Sequence, residues 1–197
     1  PISSTRKESV SVPDLAPLTA LGATEPRRAT HGALTLTERP DIALASLALR
    51  RGQPAPQPFG LALPEAGCLT GTDGFDVFWT GPGQWMIAAP GLAEEDFAAR
   101  LAPEAPGCSV TEQTDAWVVF EIASERGEGP LLALAEKLVN LPPASLAPGR
   151  ATRTGLHHMS VFLLRPATDR LAVMGMRSAA ESLWHALEVT AKRRAAP

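Results

Sequence analysis

Residues 78–87 read Phe78-Trp79-Thr80-Gly81-Pro82-Gly83-Gln84-Trp85-Met86-Ile87 and place a tryptophan on each side of a Gly-Pro-Gly turn. Proline fixes φ at one turn position, and the flanking glycines can adopt positive φ, so the chain reverses direction there. Apolar arms rich in aromatic residues on both sides of a turn are typical of paired β-strands. The sequence therefore predicts a β-hairpin over 78–87, whose side chains offer no nucleophile, base or metal ligand.

Length and composition limit the classes of protein to consider. The chain has 197 residues, enough for one large domain or two small ones with a buried core. Its net charge of −3 argues against a nucleic-acid-binding protein, which normally presents a basic face. Charged residues make up 20% of the chain, below the roughly 25% of a typical globular protein. Two explanations stay open: a surface covered by an obligate partner, or the Ala and Pro content of a GC-biased genome.

The cysteines and the apolar segments bear on the compartment. Cys68 and Cys108 are far apart and form no Cys-x-x-Cys motif, so we expect no disulfide framework and no structural zinc site. We expect both to be buried as small apolar residues. No run of about 18 apolar residues is present, which argues against a membrane span. The N-terminal residues lack the apolar segment of a signal peptide, and we expect a cytoplasmic protein.

The chain divides into a polar N-terminal segment and a patterned remainder. Residues 1–30 lack apolar periodicity, which predicts a flexible N-terminal arm. Residues 31–197 are predicted to form the folded domain, in half-units of about 31–104 and 105–197. In the first half-unit we expect, in order, a strand pair over 31–37 and 42–50 turned at 39–41, a short apolar turn at 61–63, the 78–87 hairpin and a helix over 93–102.

The second half-unit repeats this order. We expect a strand pair over 109–113 and 116–123 turned at 114–115, a helix beginning near Pro130, a hairpin over 159–164 and 171–176, and a last helix whose capping box is Ser178-Ala179-Ala180-Glu181. Each half-unit is then β-β-α-β-β-α. The predicted fold class is α+β, with two pseudo-duplicated halves, antiparallel sheets, and helices packed on one face.

Two pairs of polar residues are candidate sites. His157 and His158 are adjacent, so in an extended segment their rings point to opposite faces and cannot share a metal ion. Glu112 and Asp115 flank a predicted turn, where paired carboxylates can serve as acid and base. Turn formation by Asp115 and a polar strand face at Glu112 are favoured instead.

No recognisable catalytic motif is present. The sequence has no G-x-G-x-x-G, no Walker-type lysine loop and no G-x-S-x-G. The tryptophans at 79, 85, 117 and 184 have the flat faces that stack on ligands, but positions in strands and helices favour core packing. We therefore assign no catalytic, cofactor-binding or metal-binding residue to this chain.

The ordered set of motifs resembles the gamma subunits of heterotetrameric sarcosine oxidases, relatives of the folate-binding domain of the glycine-cleavage T-protein. The 78–87 hairpin is similar to the family's Trp-x-Gly-Pro-x-x-Trp arm, and 111–122 to its Thr/Ser-Asp segment. The segment 131–149 and the last helix, with its Arg-Ser start, complete a match over 31–194. The sequence departs from the family pattern at Gly83-Gln84, where acidic residues are usual, and at Asn140, where Asp is usual.

The resemblance implies a role in a larger complex. Such complexes oxidatively demethylate sarcosine to glycine, pass the one-carbon unit to tetrahydrofolate and form hydrogen peroxide. FAD, FMN, NAD and zinc are then expected on the other subunits and no cofactor on this chain. The resemblance implies alpha, beta and delta subunits as partners, an assembly function without catalytic residues, and self-association when the chain is isolated.

A second hypothesis is a free-standing folate- or pterin-binding module of the T-protein type. It requires a buried carboxylate that faces the pterin ring between the two halves. Glu112, Asp115 and Glu121 are the candidates in the sequence. An independent enzyme is disfavoured because no pairing of nucleophile and base is apparent.

Overall fold

Two antiparallel sheets form the frame of the protein, which a computed structural model describes for residues 17–72 and 74–195. The strands of the described residues are β1 (Arg28–His31), β2 (Leu34–Glu38), β3 (Ile42–Leu49), β4 (Leu69–Thr72), β5 (Phe75–Gly81), β6 (Gln84–Pro90), β7 (Cys108–Glu112), β8 (Trp117–Ser124), β9 (Arg150–Leu156), β10 (Met159–Ala167) and β11 (Arg170–Met176). The α-helices are α1 (Phe97–Leu101), α2 (Glu128–Leu138) and α3 (Ala180–Ala195).

The sheets exchange strands between the two halves of the chain. The six-stranded sheet has the order β1-β2-β8-β11-β10-β9, and the five-stranded sheet has the order β4-β5-β6-β3-β7. Strand β2 therefore pairs with β8, and β3 with β7. Both predicted strand pairs, 31–37 with 42–50 and 109–113 with 116–123, are wrong in their pairing, although the strands themselves form.

The physical reason lies in the two connections, which act as crossovers between the sheets. The Arg39 backbone N–H donates to the Val119 carbonyl, and the Gln113 N–H donates to the Leu44 carbonyl, at 2.9 and 2.7 Å. The Thr114 hydroxyl also accepts from the Leu44 N–H at 2.9 Å. Each connection is thus hydrogen-bonded to a strand of the other half rather than closing a hairpin on itself.

The two halves differ in their helices. The second half has an additional strand, β9, so the predicted β-β-α-β-β-α order is wrong there. The order is also wrong for the first half, where the chain between β3 and β4 forms only a 3₁₀ turn at Pro58–Gly60. Proline residues at 54, 56 and 58 explain this, because proline has no N–H for helical hydrogen bonds. Between β8 and β9 the second half carries α2, which begins two residues before Pro130.

The hairpin predictions are confirmed. Strands β5 and β6 pair with Trp79 opposite Trp85, and Gly83 in the turn has φ +66°. Strands β10 and β11 pair with Phe162 opposite Met174. Helix α1 is shorter than the predicted 93–102 and begins after Asp96, whose carboxylate accepts from the Ala99 N–H.

The last helix begins differently from the prediction. A 3₁₀ turn at Arg177–Ala179 precedes α3, which starts at Ala180. The Glu181 carboxylate, expected to complete a capping box with Ser178, instead accepts from Arg27 at 3.1 Å. The end of α3 carries Lys192, Arg193 and Arg194, where cations complement the helix dipole.

The core lies in three layers. Between the sheets, apolar side chains of both pack together, including Leu44, Phe78, Val119 and Phe162. Helices α2 and α3 cover the outer face of the six-stranded sheet, and α1 covers the outer face of the five-stranded sheet. Each sheet thus has helices on one face, as expected for antiparallel sheets in an α+β protein.

Part of the predicted N-terminal arm is ordered. Residues 1–16 lie outside the described residues, but β1 pairs with β2 and begins at Arg28. Glu38 is 1% exposed, and its carboxylate accepts from the N–H groups of Leu21 and Arg27, both at 3.1 Å. The prediction of a flexible arm is therefore wrong over 17–30, because a buried carboxylate holds this segment and its residues Ala20, Leu21 and Ala29 pack against the core.

The described helices also bear on membrane association. Among residues 17–72 and 74–195, no helix is both long and apolar enough to cross a membrane. The cytoplasmic location stays a prediction.

Candidate functional site

A cavity of about 200 Å³ lies between the two sheets. The inward-facing side chains of both sheets form its apolar walls, which include Leu44, Phe78, Val119, Leu164 and Met174. The walls are apolar because alternate residues of each strand point into the space between the sheets. The strand exchange described above therefore creates a cavity to which both halves of the chain contribute.

Four charged side chains border this cavity, and three of them form a network that continues to Asp41. Arg39 donates through Nε and Nη2 to both carboxylate oxygens of Asp41, each at 2.8 Å. Arg39 Nη1 donates to Glu121 at 3.2 Å, and Arg170 donates to the other oxygen of Glu121 at 3.0 Å. The hydrogen bond to Asp41 holds the pKa of Arg39 above its ordinary value, and the same bond holds the pKa of Asp41 below its ordinary value.

Asp76, on β5, is the fourth charged residue of the cavity wall. It stands opposite Gly71 of β4, and a Cβ atom added to Gly71 would overlap Asp76 Oδ1. Burial raises the pKa of Asp76, because desolvation disfavours the charged carboxylate. A carboxyl group in this position can receive hydrogen bonds from a planar, donor-rich ligand.

The size of the cavity limits what it can hold. Binding sites for small molecules are usually about 300–1,000 Å³, whereas this cavity is about 200 Å³. A single small ring system fits such a volume better than an extended cofactor.

Of the three carboxylates proposed for a pterin site, the structure brings one to the cavity. Glu121 lines it, as described. Glu112 instead accepts from the Ala98 N–H near the start of α1 and from the Thr114 hydroxyl. Burial acts to raise the pKa of the Glu112 carboxyl, but these hydrogen bonds outweigh burial and the pKa is lowered. The Asp115 side chain is 98% exposed, 4.0 Å from Arg177.

Asp76 was missed by the sequence analysis. Its signal was available, since it precedes Phe78 by two residues and so shares the inward face of β5. An acidic residue at an inward position of a mostly apolar strand indicates a carboxylate that is at least partly buried. The cavity that this carboxyl borders, however, forms only where the second sheet packs against β5.

The two adjacent histidines lie far from this cavity, in the turn between β9 and β10. Both are exposed, and His157 has φ +52°. No group of three or more His, Cys, Asp or Glu side chains with metal-binding geometry occurs in the described part of the chain. The expectation that this chain binds no metal stays a prediction.

Three of the four tryptophans, Trp85, Trp117 and Trp184, pack against the core. Trp184 is 2% exposed and contacts Phe120 edge-on, with ring centres 5.3 Å apart. Trp117 contacts Phe162 in the same way at 5.8 Å. Trp85 donates from Nε1 to the Pro64 carbonyl at 2.8 Å.

The two cysteines differ in burial. Cys108 is buried, as expected, and burial raises the pKa of its thiol. Cys68 is only half-buried, with its sulfur 3.4 Å from Arg150 Nη1, so the expectation of burial is wrong there. It lies where the ends of β4 and β9 meet, since Cys68 and Arg150 form an isolated β-bridge between the sheets.

The arrangement of two strand-exchanging antiparallel sheets places the protein in an α+β fold class that solved structures share. No protein-family model matches the sequence, and no curated protein matches it. One chain of heterotetrameric sarcosine oxidase from Corynebacterium sp. U-96, solved in complex with pyrrole 2-carboxylate, superposes with a TM-score of 0.68. It is 21% identical, and the match covers 86% of this chain and 89% of that chain.

A second solved structure has the same fold over part of its length. Aminomethyltransferase T of the glycine cleavage system from Bartonella henselae superposes with a TM-score of 0.56 at 16% identity. The match covers 80% of this chain and 46% of that one, so the present chain spans less than half of the aminomethyltransferase. The resemblance to sarcosine oxidase and T-protein structures is therefore confirmed at the level of the fold.

Proposed function

We propose that this chain is a non-catalytic, gamma-type subunit of a heterotetrameric sarcosine oxidase and acts in assembly and stabilisation of the complex. The observation that carries the proposal is the extent of the structural match. The match to the sarcosine oxidase structure covers 86% of this chain and 89% of that chain. The match to the aminomethyltransferase covers only 46% of that chain. The extent of the overlap therefore favours a subunit like the first protein over a module like the second.

The proposed complex performs the chemistry that the family resemblance implies. It oxidatively demethylates sarcosine to glycine, transfers the one-carbon unit to tetrahydrofolate and forms hydrogen peroxide. The proposal assigns FAD, FMN, NAD and zinc to the alpha, beta and delta subunits, and none of them to this chain.

The charged residues of the described chain support a structural role. Glu38 holds the segment before β1, Glu112 holds the start of α1, and Glu121 is engaged by two arginines. Carboxylates occupied in this way contribute to rigidity, whereas an acid–base catalyst must be free to exchange a proton with its substrate.

Two exposed apolar side chains support contact with a partner. Leu18 is 52% exposed and Met176 is 47% exposed, and the Leu18 carbonyl accepts from Arg177, the residue after Met176, at 2.9 Å. Apolar surface of this kind is usual at permanent interfaces.

Co-expression tests this proposal. The oxidase subunits of the native host are produced with and without this chain, and the assemblies are compared by native mass spectrometry and by sarcosine-dependent peroxide formation. We expect a four-subunit complex only when the chain is present. Full assembly and activity without it would contradict the proposal.

Binding of a folate or pterin is the second candidate, and Asp76 is the observation that favours it. Its half-buried carboxyl lines the cavity between the sheets, and burial raises its pKa. Isothermal titration of the chain with tetrahydrofolate tests this function, with Asp76→Asn as the matched variant. A heat of binding that is measured with the unaltered chain and lost in Asp76→Asn supports a pterin site. If the unaltered chain gives no heat of binding at millimolar ligand, this candidate function is excluded.

A further inference from the structure

A long groove runs along the outer side of α3, on the opposite side of the six-stranded sheet from the cavity between the sheets. Its volume is about 1070 Å³. Helix α3 contributes one face to it, with spacings of three, four and seven residues: Ser182, His185, Ala186, Val189, Thr190 and Arg193. At 1.5 Å per residue this face is about 16 Å long, so the groove, hereafter the basic groove, is long enough for a polypeptide segment.

The opposite wall of the basic groove comes from a turn, a strand and a second helix. The turn between β9 and β10 contributes His157 and His158, β10 contributes Met159, and α2 contributes Lys137. His157 has φ +52°, a region in which residues other than glycine are uncommon. The turn thus presents two exposed imidazoles towards α3, and His157 occupies a backbone position that glycine would suit better.

The charge of the basic groove is opposite to that of the whole chain. Lys137, Arg193 and Arg194 line it, and no salt bridge joins any of them to another residue within 17–72 or 74–195. Among the described residues, one acidic residue lines the groove, Glu181, and it is paired with Arg27 at 3.1 Å. The net charge of the chain is −3, so the groove concentrates free positive charge on an acidic protein.

A neighbouring lysine outside the basic groove does have a salt-bridge partner. Lys192 lies on α3 beside the basic groove but outside its lining, and its Nζ is 2.8 Å from Glu188. The hydrogen bond from Lys192 holds the pKa of Glu188 below its ordinary value. The same helix therefore carries one neutralised cation outside the groove and unneutralised cations inside it.

We infer that the basic groove binds an acidic peptide segment of a partner polypeptide. Carboxylates of such a segment pair with Lys137, Arg193 and Arg194, and charge-assisted hydrogen bonds of this kind are stronger than neutral ones. The floor of the groove is apolar at Met159, Ala186 and Val189, which suits apolar residues interspersed among the acidic ones. The inference rests on the proposed function, because it assigns the surface by which this subunit holds a partner.

The test uses the isolated full chain and a synthetic probe, so it does not depend on a complex being found. The probe is a fluorescein-labelled peptide as long as the 182–193 face, with leucines every third or fourth position among glutamates. A second peptide has glutamine in place of every glutamate. Fluorescence anisotropy compares the unaltered chain, the double variant Lys137→Ala/Arg193→Ala, and the matched control Lys192→Ala.

We expect the acidic peptide to bind the unaltered chain, and its affinity to fall at least about tenfold in the double variant. Lys192→Ala is expected to bind within about twofold of the unaltered chain, and the glutamine peptide is expected not to bind. Equal affinity in the double variant and the control, or no binding of the acidic peptide, would overturn the inference. Tighter binding of a DNA duplex than of the peptide would also overturn it, in favour of a nucleic-acid surface.

The two proposals can fail separately. If the peptide binds as expected but no oxidase complex assembles, the proposed function is wrong and the basic groove remains a peptide site. If the complex assembles but the double variant binds the peptide and assembles normally, the partner uses another surface.

Discussion

Arg39 Nη1 lies 3.2 Å from Glu121 Oε2 and so joins the crossover after β2 to strand β8 of the other half of the chain. The same guanidinium holds Asp41 at 2.8 Å, next to the start of β3. One side chain therefore connects a strand of each sheet at the point where the chain passes between them. This contact, together with the exchanged strand pairs, is what makes the two halves a single folded unit.

Replacing Arg39 should destabilise the fold. The Arg39 side chain is only 25% exposed, and Arg39→Ala leaves Asp41 without its partner and Glu121 with Arg170 alone. Hydrogen bonds to charged groups contribute about 1.5–3 kcal/mol each, and we expect the free energy of unfolding in urea to fall by about 2 kcal/mol. The control is Arg100→Ala, since the exposed Arg100–Glu95 pair should contribute at most about 1 kcal/mol. An equal fall in the free energy of unfolding in the two variants would show that the Arg39 contacts contribute no more than an exposed ion pair.

Asp76 should make stability depend on pH. Its pKa is raised in the folded protein, so the folded state binds its proton more tightly than the unfolded state does. The stability from this group is complete below its ordinary value of 3.8 and is lost as the pH rises through the raised pKa. We expect Asp76→Asn to be more stable than the unaltered chain at pH 7, with the difference fading in acid. A stability difference between the variant and the unaltered chain that is as large in acid as at pH 7 would contradict the raised pKa of Asp76.

We expect position 71 to require glycine, because the Asp76 carboxyl group lies opposite it. A Cβ at this position overlaps Asp76 Oδ1, so Gly71→Ala is expected to lower the free energy of unfolding by about 1 kcal/mol. Gly81→Ala is the matched control in the same sheet, because the nearest atom to its Cβ is 3.7 Å away. Combining Gly71→Ala with Asp76→Ala should remove most of the loss, and strictly additive effects would exclude the clash as its cause.

Glu38 should control the order of the segment that precedes β1. Its carboxylate accepts from the N–H groups of Leu21 and Arg27, and Glu38→Ala leaves both donors unpaired. Hydrogen exchange should then accelerate at these two amides while the amides of β10 keep their protection. Glu25→Ala removes an exposed carboxylate on the same segment and should leave exchange unchanged. Uniform acceleration throughout the protein would indicate global destabilisation instead.

Local features of the fold were predictable because they depend on neighbouring residues. The Gly-Pro-Gly turn specifies the β5–β6 hairpin, and the alternation from Trp117 to Ile122 assigns the two faces of β8. Strand partners from the other half of the chain were not predictable, since alternation shows which face is apolar but not which distant strand lies alongside. The connections at 39–41 and 113–116 have the composition of hairpin turns, yet their backbones bond to the opposite half.

The same distinction applies to the candidate site. Glu121 was recognised because it lies on a clearly alternating strand. Asp76 was not, because its significance depends on the cavity that the strand exchange creates between the sheets. The cations of the basic groove come from α2 and α3, which are more than 50 residues apart at Lys137 and Arg193, and only the packing of these helices brings them together.

Affinity purification of the tagged chain from its native host tests the central proposal most directly. The material that elutes is analysed by mass spectrometry, by its visible absorption spectrum and by its activity on sarcosine. The proposal predicts a yellow complex with two larger subunits and one smaller subunit that oxidises sarcosine. A colourless chain that elutes alone, from cells with full sarcosine oxidase activity, would contradict it.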